Sequence, residues 1–69
     1  MKIRLNLDGV EHGGDIDEIT EFITSHGGAD INYTHDHEEE VLNIIFEIPD
    51  YEIFKKAAKD SETNVFFQF

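Results

Sequence analysis

Sixty-nine residues carry 16 Asp and Glu against five Lys and Arg, a net charge of −11. That length sets one domain, residues 1–69, and a chain this short buries only ~60% of its unfolded surface, which excludes a large enclosed pocket. Cysteine is absent, excluding disulfides and thiolate metal sites, and no apolar run approaches a membrane span, so a cytoplasmic protein with no membrane contact is expected.

Lys2 to Leu7 alternates, with Ile3, Leu5 and Leu7 on one face and Lys2, Arg4 and Asn6 on the other, as in a half-buried strand. Asp8-Gly9 and Gly13-Gly14 punctuate the loop that follows. Asp15 is expected to open a helix, with Glu18 three residues on in a capping-box arrangement. Ile16, Ile19, Phe22 and Ile23 form its inner face, and Gly27-Gly28 ends it.

From Asp30 to Glu38 the chain alternates again, with Ile31 and Tyr33 on one face. His35 to Glu40 reads as a strand end and hairpin tip. Val41 to Ile48 gives the strongest strand signal, with Leu42, Ile44, Phe46 and Ile48 on one face. Pro49 stops this strand and Asp50 caps a second helix, whose apolar stripe is Tyr51, Phe54, Ala57 and Ala58. Lys55, Lys56 and Lys59 fall in its last turns, where cations suit the helix dipole. Asn64 to Phe69 is expected to be a final strand, with Val65, Phe67 and Phe69 inward and Phe66 outward.

The order strand, helix, strand, strand, helix, strand resembles the ferredoxin-like βαββαβ layout. It implies an α+β fold, a four-stranded antiparallel sheet with both helices on one face. Ile45 and Phe66 would then stand on the open sheet face, where an exposed apolar patch suits a homodimer contact.

The charge is unevenly placed. From Leu5 to Phe54 there is no Lys or Arg, yet this stretch holds 14 of the 16 acids. Asp15, Asp17, Glu18 and Glu21 lie on the first helix, and Asp36, Glu38, Glu39 and Glu40 cluster at the hairpin. Like charges at helical spacing cost roughly 0.2–0.5 kcal/mol per pair, with no nearby cation to offset them. Part of the acidity has ordinary uses: solubility, and helix-start positions for Asp15, Asp17, Glu18, Asp50 and Glu52. Against those uses, Asp15, Asp17, Glu18 and Glu21 with Asp36, Glu38, Glu39 and Glu40 are expected to imitate a phosphate backbone, which basic grooves bind largely through its field.

In size, charge and carboxylate clustering the chain resembles the small acidic inhibitor proteins of bacteriophages and mobile elements that mimic DNA. These include anti-restriction proteins, some anti-CRISPR proteins, inhibitors of nucleoid proteins and a uracil-DNA glycosylase inhibitor. They share no common fold or motif, so no residue carries over. The resemblance implies a basic nucleic-acid-binding host protein as partner, such as an HU-type nucleoid protein, a restriction or CRISPR effector, or RNA polymerase. It implies no direct contact with nucleic acid, and the host cytoplasm as location.

His35-Asp36-His37 is the one candidate metal motif: on a strand both imidazoles face one side, and two imidazoles with a carboxylate suit zinc. A His-x-His pair is common by chance and no second paired motif accompanies it. No cofactor is expected. Catalytic signatures are missing: there is no P-loop and no Gly-x-Ser-x-Gly elbow, and Ser25-His26 are sequence neighbours, an unusual placing for nucleophile and base. The aromatic residues fall mainly on inner faces, and a base-stacking platform would need a positive groove. The chain is thus expected to be a non-enzymatic inhibitor acting through its carboxylates, with a homodimeric interaction module or a small metal-binding domain as alternatives.

Overall fold

The structure, a computed structural model, describes residues 1–69. Its elements are β1 (Lys2–Asp8), α1 (Gly13–Ser25), β2 (Ala29–Asp36), β3 (Val41–Glu47), α2 (Tyr51–Lys59) and the short α3 (Asn64–Phe67). The three strands form an antiparallel sheet in the order β1-β3-β2. β1 and β2 are therefore parallel to each other and separated by β3, and α1 makes the crossover between them.

Alternation in β3 buries Leu42, Ile44 and Phe46 completely, and Ile48 beyond the strand end is buried with them. Ile3 and Leu7 of β1 join them, and Ile16, Ile19 and Ile23 of α1 and Phe54 and Ala58 of α2 complete one hydrophobic cluster. Both helices therefore cover the same sheet face. The opposite face is open, with cross-strand rows Arg4–Ile45–Asn32 and Asn6–Asn43–Thr34. Asn6 Nδ2 donates to Asn43 Oδ1 on that face.

α1 begins two residues before the expected Asp15. His12 is the N-cap and provides no side-chain cap, so the capping box does not form. Asp15 sits in the first turn, and its Oδ2 accepts from the Glu11 N–H at 3.0 Å. The other end of α1 closes as the glycines require. Gly27 stands at φ +85°, and Gly27 and Gly28 donate to the Thr24 and Ile23 carbonyls at 3.1 and 2.8 Å, a Schellman motif. A Cβ at Gly28 would meet the Ile23 carbonyl oxygen at 2.6 Å. Asp50 caps α2 as expected, accepting from the Ile53 N–H at 3.2 Å.

The expected fourth strand is not formed, and the four-stranded ferredoxin-like layout is corrected to three strands plus a helical turn. The reason lies in three phenylalanines within four residues. A strand would send Phe66 to the opposite face from Phe67. A helical turn lets Phe66, Phe67 and Phe69 all pack on the cluster and leaves Val65 exposed. Burying a Phe side chain is worth about 1.5–3 kcal/mol, more than the span of strand propensities. Phe67 packs against Phe22 and Phe54 at centroid distances of 5.8 and 5.5 Å. Gln68, left-handed at φ +56°, closes the turn, and Asn64 Oδ1 accepts from the Phe69 N–H at 2.9 Å. Phe66 consequently lies on α3 and does not share the open sheet face with Ile45.

Candidate functional site

Val10 organises the acidic end of the molecule. It lies in the loop after β1, is fully buried, and donates its N–H to the Glu40 carbonyl at 2.9 Å. Its own carbonyl accepts from His35 Nε2 at 2.6 Å. A carbonyl can only accept, so His35 Nε2 carries a proton and donates, while the buried Nδ1 has no hydrogen-bond partner. These two bonds clamp the loop that starts α1 against the β2–β3 hairpin. No sequence signal marks this clamp, because Val10 sits between Gly9 and Glu11 outside any periodic run.

The clamp brings acids from distant parts of the chain to one end. Asp8 and Asp36 flank Val41 in the last row of the sheet. Glu11 and Asp15 lie at the start of α1, and Glu38, Glu39 and Glu40 form the adjoining turn. Asp17, Glu18 and Glu21 continue along the exposed side of α1.

Cations do not neutralise this array. Glu47 meets the Met1 amine at 3.4 Å and Asp15 meets His12 at 3.8 Å. No carboxylate lies within 4.0 Å of a Lys or Arg nitrogen. Hydrogen bonding then divides the eight candidate acids. Asp36 Oδ1 accepts from the Glu38 and Glu39 N–H groups at 3.0 and 3.1 Å and so holds the turn. Asp15 holds the Glu11 backbone. Asp17, Glu18, Glu21, Glu38, Glu39 and Glu40 are exposed, with no side-chain hydrogen bond or ion pair. The Asp36 role had a sequence signal in its position two and three residues before those amides, an Asx-turn spacing.

The other candidates sort differently. His37 leaves the strand for the turn, yet its ring meets His35 edge-on at a centroid distance of 4.3 Å. A metal on this pair would have to use His35 Nδ1, since Nε2 is engaged at Val10, and no three His, Asp or Glu side chains converge in a way that could hold an ion. Ser25 Oγ is 3.2 Å from His26 Nδ1, but both atoms also lie 2.9 Å from the Phe22 carbonyl oxygen. Both donate there, closing the last turn of α1, which leaves His26 Nδ1 no lone pair for a nucleophile's proton. The Tyr51 hydroxyl is pushed above its ordinary value of 10.0 by burial and, second, by Glu52. No helix is long and apolar enough to cross a membrane.

The chain matches no family model, and neither a curated protein nor a solved structure matches it.

Proposed function

We propose that the chain is a DNA mimic that binds a basic nucleic-acid-binding protein in the cytoplasm and occupies its DNA-binding surface. The observation that carries this reading is an uncompensated acidic surface: six exposed carboxylates that make no internal bond, along α1 and on the β2–β3 turn, with the loop before α1 clamped to that hairpin through Val10. Duplex DNA presents about one charge per 1.7 Å of axis, and a protein bearing fixed carboxylates competes for the same Lys and Arg. Asp17, Glu18, Glu21, Glu38, Glu39 and Glu40 stand in for phosphates, while Asp15 and Asp36 hold the backbone that presents them. Binding through such a surface is fast and weakens as salt rises.

The test is affinity capture from bacterial lysate on the immobilised chain, eluted by rising salt and identified by mass spectrometry. One or two DNA-binding proteins eluting at moderate salt support the proposal. Indiscriminate capture of basic proteins, or no capture, overturns it.

A further inference from the structure

The two edges of the sheet are built differently. Along β2 the register with β3 slips between Ala29 and Asn32, and Asp30 stands at φ +52°. A bulge is one way natural sheets keep an edge from pairing. β1 has no such interruption: all seven residues pair with β3 without a shift.

The phase of that ladder shows which groups face outward. Met1 and Ile48 exchange backbone bonds, Ile48 N–H to Met1 O at 2.9 Å and the Met1 amine to Ile48 O at 3.0 Å. Alternation then bonds Ile3, Leu5 and Leu7 to β3, and turns the N–H and C=O groups of Lys2, Arg4, Asn6 and Asp8 to the free edge. No hydrogen bond outside the ladder reaches the backbone of these four residues, and no strand pairs there. The Lys2 ammonium is also unpaired, because its cross-strand neighbour Glu47 is taken by the Met1 amine.

Lys-Ile-Arg-Leu-Asn-Leu-Asp is complementary to itself read backwards. Antiparallel pairing with a second copy, two-fold axis at Leu5, sets Lys2 opposite Asp8, Ile3 opposite Leu7 and Arg4 opposite Asn6. All outward-turned groups of one copy then meet those of the other. A one-residue slip would set outward against inward groups. A two-residue slip would shorten the overlap and set Arg4 against Arg4 or Asn6 against Asn6. Leu5, half-buried between the buried Ile3 and Leu7, would cover its counterpart.

We infer that the chain forms a two-fold dimer by antiparallel pairing of β1 with β1 of a second copy, giving one continuous six-stranded sheet. This is independent of the proposed target and is tested on the purified protein alone.

Sedimentation velocity at physiological ionic strength is expected to give twice the chain mass of 8.0 kDa, falling to one mass on dilution. Arg4→Pro removes an outward N–H without touching the β3 ladder and is expected to give a monomer with an unchanged circular dichroism spectrum. Lys2→Asp and Asp8→Lys are each expected to weaken the dimer about tenfold, since each sets like charges opposite at two symmetric places. The double variant restores the pairing with the signs exchanged, and the dimer with it. A wild-type monomer at the highest soluble concentration overturns the inference. So does a dimer in which the double exchange is no tighter than the single ones. That second comparison decides the matter if Arg4→Pro does not fold.

Discussion

His35 on the edge strand β2 donates from Nε2 to the carbonyl oxygen of Val10, 25 residues earlier, at 2.6 Å. Together with the Val10 N–H on Glu40 this fixes the loop before α1 to the β2–β3 hairpin. Removing the imidazole leaves a buried carbonyl unpaired, which costs about 1–3 kcal/mol. His35→Ala is expected to lower the unfolding free energy by that amount, read as a lower urea midpoint at unchanged slope, and to speed amide exchange at Val10.

The free carboxylates oppose folding through mutual repulsion. A variant with Asp17→Asn, Glu18→Gln, Glu21→Gln, Glu38→Gln, Glu39→Gln and Glu40→Gln is expected to melt higher than the wild type at low salt. It is also expected to lose the captured partner. Asp36→Asn keeps an acceptor for the Glu38 and Glu39 amides but weakens it, and is expected to destabilise the hairpin instead.

Phe67 and Val65 separate helix from strand at the C-terminal end. Phe67→Ala empties a site between Phe22 and Phe54 and is expected to cost about 3–5 kcal/mol. Val65→Ala is expected to stay within about 0.5 kcal/mol, because Val65 is exposed on α3. An inward strand position would make Val65→Ala costly, and urea denaturation distinguishes the two.

Tyr51 gives the alkaline dependence a sign. Its hydroxyl is held above 10.0 by burial first and Glu52 second, so the folded chain keeps that proton after the unfolded chain has lost it. The stabilisation is present below the unfolded value and is lost as pH rises from there through the folded one. Tyr51→Phe is expected to flatten the fall in stability above pH 10, measured by urea denaturation at several alkaline pH values.

These residues also show what was legible from sequence. The strict alternation of Leu42, Ile44, Phe46 and Ile48 fixed a core strand, and Asp50 after Pro49 fixed a cap, because each is a strong local signal. Phe66, Phe67 and Phe69 match neither period cleanly. Aromatic propensity favours a strand there, but contact with Phe22 and Phe54, remote in sequence, decides for a helical turn. The acidic clusters were visible as composition. Which acids are free and which hold backbone depended on the Val10 clamp and on where α1 begins, and both are tertiary outcomes.

The most direct measurement of the mimic proposal is competition: labelled duplex DNA bound to the captured protein, titrated with the chain at several salt concentrations. The expected result is complete displacement of DNA, with an affinity that falls steeply as salt rises and a shallower fall for the six-site neutralised variant. A ternary complex retaining DNA, or displacement equally strong with the neutralised variant, would contradict it.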